Sequence, residues 1–149
     1  MVSYLLDQGA VIDQPGAAPG GTLRRSALQL ACVKGHLEVV KLLIHKGADP
    51  TSRDPHHLMS SLLHASQNGH AQVVRFLLEN KAVAATIDVP CREGCTALWW
   101  ACLRGHGEVT EALLEGGADP KVTCMSGITP QDIARHRGQH QCMALIEVS

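Results

Sequence analysis

The chain has 149 residues, 45% hydrophobic and 18% charged, enough for one compact domain and too few for a second large one. Aromatic residues are only 3%, so Leu, Val, Ile and Ala must fill the core in thin helical layers, which excludes a bulky β-sandwich interior. A formal charge of −1 gives no global pull toward nucleic acid or acidic membranes, and any electrostatic function must come from local patterning.

The first predicted element, Val2 to Ala10, reads as the second helix of a pair whose first helix is missing. Its apolar face lacks a neighbour, so a larger parent protein is expected and Met1 is not expected to be a natural start. Residues 14–25 follow as a long loop containing the run Pro15 to Gly21, a surface insertion rather than a domain linker. Ser26-Ala-Leu-Gln-Leu-Ala31 then opens a helix, with Ser26 and Gln29 spaced as a capping box. After Gly35-His36 a second helix is predicted, because Leu37, Val40, Leu43 and Ile44 share one stripe. It ends at Gly47-Ala-Asp-Pro50, where glycine can turn left-handed and proline stops the helix.

The same helix pair returns at Ser60 to Ala65 and after Gly69-His70, at Thr96 to Ala101 and after Gly105-His106, and at Thr129 to Ala134 and after Gly138-Gln139. The glycines are offset by 34, 36 and 33 residues, a period that means a solenoid. Pro130 stands at a first helical position, and Gly117-Ala-Asp-Pro120 repeats the stop signal. Against the standard finger from Gly117 to Thr129, the stretch from Lys81 to Thr96 carries about three extra residues, expected to lengthen the finger. Gln139, His140, Gln141 and Glu147 lie where inner repeats are more apolar, as expected of a capping repeat.

These motifs resemble the ankyrin-repeat family, whose pattern runs T-P-L-H-x-A-A-x-x-G-H-x-E-V-V-x-L-L-L-x-x-G-A-D, over nearly the whole chain. Ala31 to Asp49 and Thr96 to Asp119 match closely, and Ser60 to Ala82 mainly through Gly69-His70 and Val73 to Leu78. The resemblance implies an all-α solenoid of stacked antiparallel helix pairs with short β-turn fingers. As one domain, residues 1–13 are half a repeat, 14–25 a long finger loop, 26–58, 59–94 and 95–127 full repeats, and 128–149 a C-terminal cap. The chain departs from the family at its first-helix histidine, replaced by Gln29, Leu63, Trp99 and Asp132, which weakens the expected bracing between repeats.

In this family the finger tips and the ends of the first helices line a concave face that binds partners. Here those positions supply Arg24, Arg25, Val33 and Lys34; His56, His57, Met59, Gln67 and Asn68; Arg92, Glu93, Leu103 and Arg104; and Met125, Ile128, His136 and Arg137. Only Glu93 is acidic, whereas the second helices hold Glu38, Glu79, Glu108, Glu111, Glu115 and Glu147, so a basic inner face and an acidic outer side are expected. Trp99 and Trp100 lie roughly 100° apart on a helix, so one indole is expected in the packing, in place of the missing histidine, and Trp100 exposed as an anchor. The residues expected to bind a partner are Arg25, Lys34, His56, His57, Met59, Arg92, Trp100, Leu103, Arg104, Met125, His136 and Arg137.

The expected function is non-catalytic recognition of a protein partner or an acidic or phosphorylated segment, by a monomer. The rival is a recruiting domain of a larger enzyme or adaptor of acyltransferase, kinase or ubiquitin-ligase type. Nucleic-acid binding is disfavoured, because aromatic stacking residues are few and the net charge is not positive. No enzyme is expected: His36, His70 and His106 occupy the Gly-His slots, and no nucleophile has an oriented base beside it. No cofactor or metal is expected either, since structural zinc prefers two close pairs and Cys91 with Cys95 is the one pair present, Cys124 and His56-His57 lying in neighbouring fingers. Six cysteines without a secretory leader or a membrane-length apolar run point to a reducing cytoplasmic or nuclear setting, with thiols serving as small hydrophobes and no membrane insertion.

Overall fold

The computed structural model describes residues 26–148. Each helix pair begins on a hydroxyl cap. Ser26, Ser60, Thr96 and Thr129 accept from the backbone N–H three residues on, at 3.2, 3.3, 3.2 and 3.1 Å, and so start α1 (Ala27–Lys34), α3 (Ser61–Gln67), α6 (Ala97–Arg104) and α8 (Pro130–His136). Gln29 and Asp132 return the bond to Ser26 N and Thr129 N, completing two capping boxes. The return helices are α2 (Leu37–His45), α4 (Ala71–Leu78), α7 (Gly107–Glu115) and α9 (His140–Val148).

The first helices stack in one row (α1 on α3, α3 on α6, α6 on α8) and the return helices in a second (α2 on α4, α4 on α7, α7 on α9). The core lies between the rows and is aliphatic. Leu28, Leu43, Leu63, Leu77, Leu98 and Leu113 are fully buried with Val40, Val73 and Val74, and the six cysteines occupy small gaps as free thiols.

The Gly-His pairs set the spacing between repeats. His70 donates through Nε2 to Val33 O of the preceding repeat at 2.8 Å, and His106 to Gln67 O at 3.1 Å. Each imidazole lies flat over the preceding glycine: a methyl group on Gly35 would come within 2.4 Å of the His70 ring, and one on Gly69 within 2.7 Å of the His106 ring. Both glycines also carry positive φ, 73° and 78°. The histidine thus braces the turn of the repeat before its own. In the last repeat Gln139 lies over Gly105 in the same manner.

Two sequence expectations need correction. The extra residues after Lys81 do not extend a finger; they wind into the single turn α5 (Lys81–Ala84), capped by Asn80 Oδ1 on Ala82 N at 2.9 Å, with Val83 and Ile87 buried beneath it. The missing first-helix histidine does not leave every repeat unbraced, because buried Gln29 donates through Nε2 to Ser52 O at 3.1 Å and ties α1 to the next finger.

Candidate functional site

The site is built on three turns. In the first finger Asp54 N donates to Met59 O at 3.0 Å and Leu58 N to Asp54 O at 3.1 Å, which closes the loop that carries His56 and His57. Asp54 Oδ1 accepts from His56 N and His57 N at 3.2 and 2.7 Å, an Asx turn that holds both histidines at an exposed tip. Asp54 itself is 3% exposed, and its Oδ2 lies 3.3 Å from Nε2 of His64, which is 1% exposed on α3. The second finger is closed by Cys91 N to Cys95 O at 3.0 Å and the third by Cys124 N to Ile128 O at 3.0 Å. Backbone bonds join the tips in series, Arg92 N to His57 O at 2.8 Å and Met125 N to Glu93 O at 3.1 Å. Arg92 adds a guanidinium bond to Pro55 O at 3.1 Å, and Arg53 reaches Leu58 O and Pro90 O.

Between the first two fingers and helices α3 and α6 lies a cavity of about 330 Å³ lined by His57, Met59, His64, Gln67, Cys91, Glu93 and Trp100. Trp99 and Trp100 are both half-buried, and their rings meet edge to face with centroids 5.4 Å apart and planes at 86°. The expected division into one packed and one exposed indole is therefore wrong: the side chains diverge at Cα and converge again at the rings. Both indole Nε1 atoms are buried and find no acceptor among the described residues, so Trp99 does not reproduce the bracing bond of the family's histidine.

Of the residues expected to bind a partner, Arg25, like Arg24, lies outside the described residues. Lys34, His56, His57, Arg92, Arg104, Met125, His136 and Arg137 are exposed, and Trp100 and Leu103 are half-buried. Met59 is a correction. It is 5% exposed and belongs to the core, meeting the surface only as part of the cavity wall. His57, Met59 and Trp100 come together around the cavity, whereas Lys34, Arg104 and Arg137 form a separate row at the ends of first helices, interrupted by Asn68. The glutamates of the return helices are exposed, but that side also carries Arg75, 3.0 Å from Glu115 and 3.8 Å from Glu111, and Lys41 over the Phe76 ring. Sequence reasoning missed Asp54 and His64. The signal for the first was Asp54-Pro55 ahead of the histidines, a turn dipeptide; His64 was hidden inside an apolar run.

Three of the buried thiols, Cys32, Cys95 and Cys102, favour their neutral form. Burial pushes Cys32 from its ordinary value of 9.0 up to about 12, against a small opposing effect of the Ser61 hydroxyl. Cys95 rises to about 12 through burial first and then the nearby Cys91 and Cys124. Cys102 donates to the sulfur of Cys142; this bond, then burial, raises Cys102 further, and the same bond draws Cys142 down to about 6. A raised folded pKa contributes stability that is fully present below the unfolded pKa and lost above it. Stability should therefore fall as pH climbs from 9.0 toward about 12, where the unfolded chain releases the Cys32 proton and the folded chain holds it. Denaturant midpoints measured on either side of this window should show the fall, and Cys32→Ala should make it shallower; an identical slope in the variant would contradict the assignment.

Residues 56–124 match the family model described as ankyrin repeats (3 copies), and residues 28–78 that described as ankyrin repeats (many copies). The chain is 38% identical over 105 residues to the ankyrin repeat and KH domain-containing protein mask-1 of Caenorhabditis elegans, covering 70% of this chain and 4% of that protein. It is 37% identical over 116 residues to human ankyrin repeat domain-containing protein 63, covering 75% of this chain and 28% of that protein. Against palmitoyltransferase AKR1 of Lachancea kluyveri it is 32% identical over 150 residues, 96% of this chain and 19% of that protein. The chain belongs to the ankyrin-repeat family, an all-α repeat fold whose members are generally protein-interaction modules. It spans less than a third of the length of each of these relatives. No helix among the described residues is long and apolar enough to cross a membrane.

Proposed function

We propose that this chain is a non-catalytic, monomeric recognition module of the reducing cytoplasm or nucleus. In this reading an extended acidic or phosphorylated protein segment runs along its first-helix and finger face. The observation that carries the reading is the half-buried Trp100 on the wall of a cavity whose rim includes exposed His57. A side chain of a bound segment can enter such a cavity, and Trp is among the residue types most enriched at binding hot spots. Lys34, Arg92, Arg104, His136 and Arg137 present cationic or protonatable groups over successive repeats, and Leu103 and Met125 add apolar contact. Charges separated by about one repeat, close to the ~8 Å Debye length of physiological salt, reinforce one another only for a ligand lying against several of them. An extended peptide is therefore preferred over a single small anion.

The test uses a synthetic peptide rich in glutamate and phosphoserine, followed by the fluorescence of the two tryptophans. Single exposed contacts are worth only ~0.2–1 kcal/mol, so Lys34→Ala alone should be nearly silent. Lys34, Arg104 and Arg137 changed together to Glu should weaken binding about tenfold or more, with helicity and melting temperature unchanged. Equal affinity in the triple variant would remove this face from the proposal. Single-stranded RNA bound more tightly than about millimolar at low salt would favour nucleic acid instead.

A second reading, compatible with the first, makes this chain the recruiting region of a longer protein. It is supported by a palmitoyltransferase that matches nearly the whole chain while the chain spans 19% of it. In that case the activity resides outside these residues.

A further inference from the structure

We propose that the Cys91–Cys95 turn binds a soft divalent cation of the zinc class through the Cys91 and Cys95 thiolates and the Glu93 carboxylate, the fourth position being open to solvent. The expectation of no metal rested on counting cysteine pairs, of which there is one. Folding adds the ligand that this count left out. The Sγ atoms of Cys91 and Cys95 and a carboxylate oxygen of Glu93 all lie within 4.8 Å of one another, and no other group of three possible ligands converges in this way among the described residues.

The turn is a prepared scaffold. Cys91 N donates to Cys95 O and Gly94 N to Cys91 O, each at 3.0 Å, so the two cysteines face each other across a closed loop with Glu93 between them. The loop is pinned from both sides, by Arg92 N on His57 O at 2.8 Å and Met125 N on Glu93 O at 3.1 Å. Gly94 is packed so closely that a methyl group there would lie 2.8 Å from Met125 N. The spacing of three residues between the cysteines falls within the two to four usual for zinc-binding pairs. A tetrahedral ion with Zn–S of ~2.3 Å and Zn–O of ~2.1 Å needs its ligand atoms roughly 3.5 Å apart, so rotation of the exposed Glu93 side chain and of the thiols closes the gap without moving the backbone.

The alternative occupant of this space is nothing at all, with the thiols as small hydrophobes, as Cys32 is at 0% exposure against Ser61. The Cys91–Cys95 pair differs in two respects. A carboxylate is within reach, and the adjoining cavity, lined by Cys91, Glu93 and His57, gives a path from solvent. Two thiolates with one carboxylate favour a borderline-soft ion such as Zn²⁺ over Mg²⁺ or Ca²⁺. Binding balances simply: M²⁺ displaces one proton from each thiol, two metal–sulfur bonds form, and two protons are released to solvent. No electron is transferred.

The test is a titration of the fully reduced, chelator-treated and desalted protein with Co²⁺, then with Zn²⁺. The expected result is one equivalent of Co²⁺ giving the sulfur-to-cobalt charge-transfer absorption in the near ultraviolet, displaced by Zn²⁺, with two protons released per ion. Cys91→Ser and Cys95→Ser should each abolish the one-equivalent complex, and Cys142→Ser should preserve it. Because a buried serine could itself disturb folding, the exposed variant Glu93→Gln provides the second check: it should keep the unliganded melting temperature and weaken Zn²⁺ binding by about tenfold or more. Absence of the charge-transfer band with excess Co²⁺, its persistence in the Cys91/Cys95 double variant, or unchanged affinity in Glu93→Gln would each overturn the assignment.

Discussion

Gly69→Ala is expected to destabilise the protein by about 2–4 kcal/mol, while Gly138→Ala costs only about 1–2 kcal/mol. The two glycines share a left-handed backbone, φ 78° and 68°, so the strain of adding a Cβ is nearly the same at both. Their surroundings differ. At Gly138 the new methyl meets nothing within 4 Å, whereas at Gly69 it comes within 2.7 Å of the His106 imidazole, which itself donates to Gln67 O at 3.1 Å. The methyl must displace that ring, and the displaced ring gives up a bond worth about 0.5–1.5 kcal/mol as well as its packing. A double-mutant cycle isolates this contribution. His106→Ala is costly in the wild-type background, but with Gly69→Ala already present the second change should add little, because the contact has been lost once. Urea denaturation of the four proteins reads the coupling. Strict additivity would mean that the ring relaxes freely and that the Gly-His pair does not lock neighbouring repeats together.

The same pair marks the boundary of what a sequence can say. The period of 33 to 36 residues, the hydroxyl caps at Ser26, Ser60, Thr96 and Thr129, and the left-handed glycines are local signals, and each is recovered in the fold. Which repeat a histidine braces is a relation between repeats. Read along the chain, His70 belongs to the turn beside it; in space it serves Val33. Gln29 is similar: one capping box accounts for its sequence signal completely, yet its amide nitrogen ties α1 to Ser52. Helix α5 was missed because its four residues are too few to show periodicity, and only the burial of Val83 and Ile87 explains why the insertion coils inward. The candidate site was legible in outline, since finger tips and first-helix ends can be located by register alone. Its depth was not. Met59 looked like a surface anchor and is core, and the indoles of Trp99 and Trp100, separated by the helical angle, are brought back together by side-chain torsions that no sequence rule specifies.

Asp54→Ala should be among the most damaging single changes in the protein, at about 3 kcal/mol or more, although Asp54 lies in a loop. Loop carboxylates usually contribute little because water replaces their partners. This one is 3% exposed, and its loss removes an acceptor from His56 N and His57 N at the finger tip and a neighbour 3.3 Å from Nε2 of the buried His64. Two lost turn bonds at about 0.5–1.5 kcal/mol each, together with the buried contact to His64, sum to more than the worth of any one bond. Asp54→Asn separates the contributions. An amide oxygen can still accept from the two backbone N–H groups and keep the Asx turn, so this variant should lose no more than about 1.5 kcal/mol, from the His64 side alone. The finger tip gives a second readout. In Asp54→Ala the amides of His56 and His57 should exchange with solvent far faster than in the wild type, while in Asp54→Asn they should stay protected. Because the second finger hangs from His57 O through Arg92 N at 2.8 Å, the loss should spread: the Arg92 amide should lose protection along with the histidines, before the helices do. If the alanine and asparagine variants prove equally stable and equally protected, the turn is held by its closing bonds between Asp54 and Met59 and not by the buried carboxylate, and the order of the fingers has another source.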